Sequence, residues 1–319
     1  MEMEREGKSY TADTISILRE KYPEDELYLV VGTDMFLSFR EWHEYKYLLD
    51  NCTLAVLSRE TDDRGEILSF KRSLENEDGA RIRLIEHEPL PMSSAEIRAM
   101  LPKAGGAELL DDGVYSLIIK NRWYAAKPEL RWLREKVRPY LTEKRARHVA
   151  GCEEQAVKLA RRWGADVYEA AEAGILHDIT KKLSDEEQLI MCDKYGIILD
   201  AAERRNPRIL HARTGAALAR ELFGIPDGIY SAIRWHTTGK PDMSLMEKII
   251  YLADFTEPTR DFKGVEPLRK LCFEDIDRAM ELGLRMSLEE IRSRGEDAYK
   301  DTVDAYQWYK KEQGGSATC

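Results

Sequence analysis

The chain changes character near residue 125, and that change constrains its fold more than any other feature. Up to about residue 124, short β-rich runs alternate with helical stretches. "ELYLVVG" (26–32), "CTLAVLS" (52–58) and "RIRLIE" (81–86) read as buried strands, with "ADTISILREKY" and "EILSFKRSLEN" as amphipathic segments between them. Such alternation implies a parallel α/β sheet. The third strand leads through "HEPLPM" to "SSAEIRAML", where Ser93 and Glu96 have capping-box spacing. After Pro128 the strand patterns stop. Helices are expected at roughly 129–140, 143–163, 166–181, 184–195, 212–223, 227–236, 243–254, 273–292 and 297–312. Gly164, Gly196, Pro207, Gly224 with Pro226, and Gly239 with Pro241 supply the breaks. The expectation is an α/β domain over 1–124 and an all-α domain over 125–319, and 319 residues suffice for two cores.

Composition narrows the functional classes. With 34% charged residues and a formal net charge of −10, the chain reads as a soluble acidic protein. It lacks the clustered Lys and Arg that bind nucleic acid polymers. A small anionic substrate is compatible with that charge where a metal or local cations offset the field. Five scattered cysteines (Cys52, Cys152, Cys192, Cys272, Cys319) without a CxxC pair suggest neither a disulfide framework nor a zinc knuckle, and point to the cytoplasm. The acidic "MEMEREGKSY" does not read as a signal peptide, and apolar runs such as "LYLVV" are too short to span a bilayer.

Four of the six histidines, His148, His177, His211 and His236, lie in the helical half, each within or at the edge of a different expected helix. Asp178 and Asp254 follow apolar runs in "GILHDITK" and "IIYLADFTEP". A single helical histidine is more often structural than ligating. The joint pattern is different: six N and O donors on converging helices, with a shared carboxylate, can hold two transition metals.

These segments resemble the HD-domain metal phosphohydrolases, whose signature is a His, a His-Asp pair and a distant Asp on helices. "RARHVAGC", "LHDITKK", "ILHARTGA", "IRWHTTGKPDMSLMEKIIYLADFTEPTRDFKGV" and "DAYQWY" resemble more closely the HD-domain symmetrical bis(5'-nucleosyl)-tetraphosphatases, over roughly 128–310. That resemblance implies a di-iron enzyme, with manganese the alternative metal, that cleaves diadenosine tetraphosphate into two ADP. It assigns His148, His177, Asp178 and Asp254 to one ion and Asp178, His211 and His236 to the other. Two metals sharing a carboxylate can also share a water, lower its pKa and aim it at phosphorus. Mixed His and carboxylate ligation suits iron or manganese rather than structural zinc. Asp178 and Lys181 are the candidate catalytic residues. Arg145, Lys181, Thr237, Thr238, Gly239, Lys240 and Arg260 are the candidate phosphate-binding residues, and Cys152 reads as packing.

In the first half, "REGKSYTADT", "LVVGTDMFLSFREW", "VLSRE" and "MSSAEIRAML" resemble nicotinate-nucleotide adenylyltransferases of NAD synthesis, over roughly 5–124. That likeness implies a Rossmann-like nucleotidyltransferase sheet and a nucleotide site involving Gly32, Asp34, Trp42, Ser93, Ser94 and Arg98, with Ala95 where the family usually has Thr. The family's Gly-x-Phe-Asp-Pro-x-His-x-Gly-His stretch has no counterpart, and His43 and His87 stand apart from any Gly-rich turn. Adenylyl transfer, which depends on positioned charge, is therefore not expected. The resemblance further implies an incomplete sheet with strand 26–31 at a new edge, a pairing liability. That edge is expected in a fragment of a bifunctional protein, a remnant covered by a partner or second copy, or an appendage. Three functional classes follow: a metal-dependent hydrolase of small nucleotides, which the ligand set favours, a nucleotidyltransferase, and a non-catalytic nucleotide-binding scaffold.

Overall fold

A computed structural model describes residues 7–57, 64–86, 92–200, 203–204 and 207–315. His87, the "SRE" end of "VLSRE", most of "HEPLPM" and Cys319 lie outside them. The chain divides into two compact units, Met1–Ser94 and Ala95–Cys319.

The first unit is built on three parallel strands, β1 (Tyr28–Gly32), β2 (Thr53–Leu57) and β3 (Ile82–Ile85), in the order β1-β2-β3. Tyr28 pairs with Thr53 and Val30 with Ala55, while Leu54 pairs with Ile82 and Val56 with Leu84. The connections are α1 (Thr11–Lys21) before β1, α2 (Thr33–Leu37) and α3 (Tyr45–Asn51) between β1 and β2, and α4 (Arg64–Asp78) before β3. Because side chains alternate along a strand, Leu29, Val31, Leu54, Val56, Ile82 and Leu84 share one face. They pack with Ala12, Ile15, Phe36, Phe39, Leu48 and Leu74 into one core. On the other face Tyr28, Val30 and Ile85 are 42%, 62% and 42% exposed. β1 lies at the edge of the sheet, as the resemblance implied.

The second unit is helical: α5 (Ser94–Met100) leads into it, followed by α6 (Asp112–Asn121), α7 (Leu130–Val137), α8 (Glu143–Trp163), α9 (Val167–Leu176) and α10 (Asp185–Lys194). Beyond them come α11 (Leu210–Phe223), α12 (Asp227–Trp235), α13 (Leu245–Thr256), α14 (Val265–Glu274), α15 (Ile276–Ser293) and α16 (Lys300–Gly315). Caps set several starts. Thr142 accepts from Arg145 N, Asp166 accepts from Tyr168 N and Glu169 N, and Ser184–Glu187 and Ser244–Glu247 form capping boxes. The helices α8 and α9 approach so closely that a Cβ at Gly174 would lie 2.9 Å from Glu153 Cα. That approach brings the end of α9 beside the middle of α8.

Three features differ from the sequence reading. The units part at Ser94/Ala95 rather than near 124/125, because Leu101, Tyr115, Ile118 and Ile119 pack into the same core as Leu133, Leu159 and Ile175. The expected helix 166–181 ends at Leu176, and His177–Leu183 continues in tight turns, with Ile179 N on Leu176 O and Lys181 N on Asp178 O. The helix α14, absent from the expected set, tolerates Pro267 because it sits in the first turn, and buries Val265, Leu268 and Cys272.

Candidate metal centre

Five segments deliver the cluster. His148 projects from within α8, His177 and Asp178 from the turn closing α9, His211 from the first turn of α11, His236 from the end of α12, and Asp254 from α13. All four histidines and Asp178 are buried. His148 Nε2 is 3.3 Å from His177 Nε2, and His211 Nε2 is 3.2 Å from His236 Nε2. Asp178 lies between the pairs. Its Oδ2 is 3.6 Å from His148 Nε2 and 3.5 Å from His177 Nε2. Its Oδ1 is 3.4 Å from His211 Nε2 and 3.7 Å from His236 Nε2. Asp254 Oδ1 joins the first pair, 3.0 Å from His148 Nε2 and 4.0 Å from His177 Nε2.

These atoms fit metal ions. The Nδ1 atoms of His177, His211 and His236 lie 2.7 Å from the backbone oxygens of Gly174, Arg208 and Ile233, and His148 Nδ1 lies 3.0 Å from Glu257 Oε1. A carbonyl or carboxylate oxygen can only accept, so each Nδ1 donates and each Nε2 is left facing the cluster. The contacts of Nε2 with Nε2 and of Nε2 with carboxylate oxygen set acceptor against acceptor, which a shared cation resolves. Two donors each about 2.1 Å from one ion and at right angles are about 3 Å apart, close to the spacing within each pair. His148, His177 and Asp178 form one group able to hold an ion, and Asp178, His211 and His236 a second.

Electrostatics agree. Burial opposes charge on Asp178, but His177, His236 and His211 hold its carboxyl well below the usual range. Burial likewise opposes charge on Asp254, which His148 and Arg260 keep ionised. Burial, then the neighbouring Lys181 ammonium, push His211 well below its ordinary value. At His177 burial works against charge, yet Cys152 and Asp178 draw its pKa well above the usual value.

The candidate phosphate-binding residues separate. Arg145 Nη1 donates to Asp178 Oδ2 at 2.7 Å and Arg260 Nη2 to Asp254 Oδ1 at 2.6 Å, so both guanidiniums reach the first pair. Lys181 Nζ lies 3.2 Å from the His211 ring nitrogens, and Thr237 Oγ1 lies 3.1 Å from His211 Nε2. Burial lowers the Lys181 ammonium below its ordinary pKa. Thr238 instead donates to Gly239 O, and Gly239 packs toward Leu284, Ala305 and Met243. Lys240 pairs with Glu247. Cys152 is fully buried in the core, as read. A cavity of about 340 Å³ opens beside His148, lined by Lys144, Arg145, Thr259, Arg260 and Phe262.

Sequence reasoning missed Glu257. It is completely buried, and its Oε2 accepts from Thr259 N at 2.7 Å while its Oε1 takes the Thr259 hydroxyl. The signal was the carboxylate three residues after Asp254 in "ADFTEPTR".

In the first unit, Gly32 closes β1 and precedes α2, Asp34 is exposed in α2, and Trp42 packs on Phe39 with ring centroids 5.1 Å apart. Ser93 and Ser94 are exposed where α5 begins, and His43 lies against the Tyr10 ring at 4.2 Å. Arg98 belongs to the second unit, 5.5 Å from the Tyr124 ring. Among the described residues, groupings able to hold a metal occur only in the helical unit.

A helical bundle converging on a His, His-Asp, His, His, Asp cluster defines an HD-domain hydrolase, and the HD domain family model matches residues 145–259. The chain belongs to the HD-domain family of symmetrical bis(5'-nucleosyl)-tetraphosphatases. It is 38% identical over 176 residues to the symmetrical bis(5'-nucleosyl)-tetraphosphatase of Bacillus subtilis, an alignment covering 54% of this chain and 92% of that protein. It is 24% identical over 284 residues to the "Probable nicotinate-nucleotide adenylyltransferase/Ap4A hydrolase" of Mycoplasma genitalium, covering 87% of this chain and 75% of that one. A crystal structure of a "predicted HD superfamily hydrolase involved in NAD metabolism" from Clostridium acetobutylicum superposes with a TM-score of 0.55 at 36% identity, over 56% of this chain and 96% of that one. The Mycoplasma relative extends the likeness across both units. No described helix is long and apolar enough to cross a membrane.

Proposed function

We propose that the chain hydrolyses diadenosine tetraphosphate symmetrically to two molecules of ADP, using a dinuclear centre held by its helical unit. The observation that carries this reading is Asp178, whose two carboxylate oxygens each face a different histidine pair. The name of the Bacillus subtilis relative supports the substrate and the symmetry of cleavage. In this reading His148, His177, Asp178 and Asp254 hold one divalent ion and Asp178, His211 and His236 the other. Nitrogen and carboxylate donors without thiolate favour iron, with manganese the alternative. Such a pair supplies Lewis-acid charge at phosphoryl oxygens and lowers the pKa of water.

The chain's own residues do the rest. Asp178 and the four Nε2 atoms fix the centre, and the Nδ1 partners lock the ring orientations. Lys181 and Thr237 offer donors to the phosphate chain from the His211 side, and Arg145 and Arg260 neutralise it from the His148 side. A water oxygen joins one central phosphorus and the bond from that phosphorus to the central bridging oxygen breaks, so each half leaves as ADP. The four described cysteines are free and buried, in keeping with a cytoplasmic enzyme. The open sheet face of the first unit suits a second copy or a partner.

Product analysis tests the reading. Diadenosine tetraphosphate incubated with iron-loaded protein is expected to yield ADP alone, with turnover reduced about a thousand-fold or more in Asp178→Ala, equivalent to several kcal/mol. Release of AMP together with ATP would reject symmetrical cleavage.

A further inference from the structure

The four ligand histidines are not oriented alike. The Nδ1 of His177, His211 and His236 each donates to the backbone carbonyl three residues earlier, at 2.7 Å. These are local bonds that a helix or turn end provides without further design. His148 is the exception. Its Nδ1 donates to the carboxylate of Glu257, 109 residues further along the chain, at 3.0 Å.

Glu257 is built for that contact. It is completely buried, which is costly for a charge unless its oxygens are satisfied. Thr259 supplies both a backbone N–H and a hydroxyl, and His148 supplies an N–H. The helix α8 makes room for it: a Cβ at Gly151 would fall 2.4 Å from Glu257 Oε2, so no other residue leaves the carboxylate in place. Arg260 Nε stands 3.9 Å from Oε1. A carboxylate accepting from the outer N–H of a ligating imidazole raises the basicity of its inner nitrogen and fixes the ring.

The charges around the two ends of the cluster point the same way. At the His148 end four donor residues converge, His148, His177, Asp178 and Asp254, with Glu257 behind them and Arg145 and Arg260 offsetting the carboxylates. At the His211 end there are three donor residues, His211, His236 and Asp178, and the nearest added charge is the Lys181 ammonium, 3.2 Å from the His211 ring nitrogens. One end therefore offers one more donor residue and, with Asp254 and Glu257 set against Arg145 and Arg260, a less positive net charge than the other, where Lys181 faces only the shared Asp178.

We infer that Glu257 is a positioning residue that makes the two metal sites unequal, the His148 end binding its ion more tightly than the His211 end. The inference rests on the dinuclear reading above. Loading is then ordered: the His148 end fills first, and the His211 end, next to Lys181 and Thr237, takes the exchangeable ion.

The test is competition for Co²⁺ between the full chain and a chromophoric chelator, with melting curves of the cobalt-free proteins alongside. The wild-type chain is expected to bind two equivalents of unequal affinity. Glu257→Gln keeps the shape and the acceptor oxygen but removes the charge. It is expected to weaken the tighter equivalent about 10- to 100-fold and leave the weaker one within about twofold. Thr259→Val, which removes the hydroxyl bond to Oε1 but keeps the carboxylate and its contact with His148, is expected to shift the same equivalent by less, and decides the matter if the Gln variant does not fold. An unchanged tighter equivalent, or equal weakening of both, in a variant that melts like wild type would overturn the role of Glu257. Fewer than two equivalents in the wild-type chain would instead overturn the dinuclear reading, and this inference with it.

Discussion

The two units of the chain treat polar residues in opposite ways. In the helical unit each histidine of the cluster is buried and contacted at both ring nitrogens, and the Arg145 and Arg260 guanidiniums are already turned toward the cluster carboxylates. In the sheet unit Asp34, Ser93 and Ser94 are exposed, and His43 is occupied by an aromatic contact. The sheet itself packs its helices on one face, while Tyr28, Val30 and Ile85 remain open on the other, although parallel sheets normally cover both. The difference teaches where chemistry can reside. Charge stabilisation in a reaction needs groups fixed before substrate arrives, and among the described residues it is the helical unit that gathers such groups into a cluster able to hold a metal.

The comparison is sharpened first by moving the boundary between the units. A chain beginning at residue 126 removes Leu101, Tyr115, Ile118 and Ile119, all buried against the helical core, and the Tyr115 hydroxyl that accepts from Glu129 N at 2.9 Å. At about 1.5–3 kcal/mol for each large apolar side chain, such a chain is expected to lose several kcal/mol relative to one beginning at residue 95. Urea melts of the two truncations check this, and equal midpoints would show that residues 95–125 belong with the sheet unit.

A smaller effect probes the site without disturbing the fold. Lys181→Met retains the aliphatic stem but removes the ammonium beside His211. A charged hydrogen bond of about 1.5–3 kcal/mol corresponds to a loss of about 10- to 100-fold in kcat/KM for diadenosine tetraphosphate. Steady-state kinetics on fully metal-loaded protein check it. An unchanged value would remove Lys181 from the substrate's path.

Much of this arrangement is legible in the sequence, for a physical reason. A histidine or aspartate set in an apolar run is costly without a partner, so "GILHDITK" and "IIYLADFTEP" advertise the residues that the fold gathers into the cluster. The strands at 28–32, 53–57 and 82–85 are equally plain, because buried parallel strands read as short apolar runs. Other features depend on distance in the chain or on small changes of backbone. Glu257 carries no role that its local sequence announces by itself, and its contact emerges only when His148 and Gly151 are seen against it. The end of α9 at Leu176 turns on a switch to tighter hydrogen bonding that no periodicity reveals. In "HTTGK" the residue types suggested four phosphate contacts, yet only the Thr237 hydroxyl reaches His211, because Thr238 bonds within the turn, Gly239 lies tight against Leu284 and Lys240 pairs with Glu247.

The most direct test of the central claim compares hydrolysis of diadenosine tetraphosphate by residues 95–319 with that of the full chain, both loaded with metal to the same stoichiometry. If the helical unit carries the reaction, kcat/KM agrees within about threefold, a difference of less than 1 kcal/mol. Loss of turnover in the shorter chain, with its fold and metal content intact, would mean that the sheet unit takes part in the chemistry and would contradict the account.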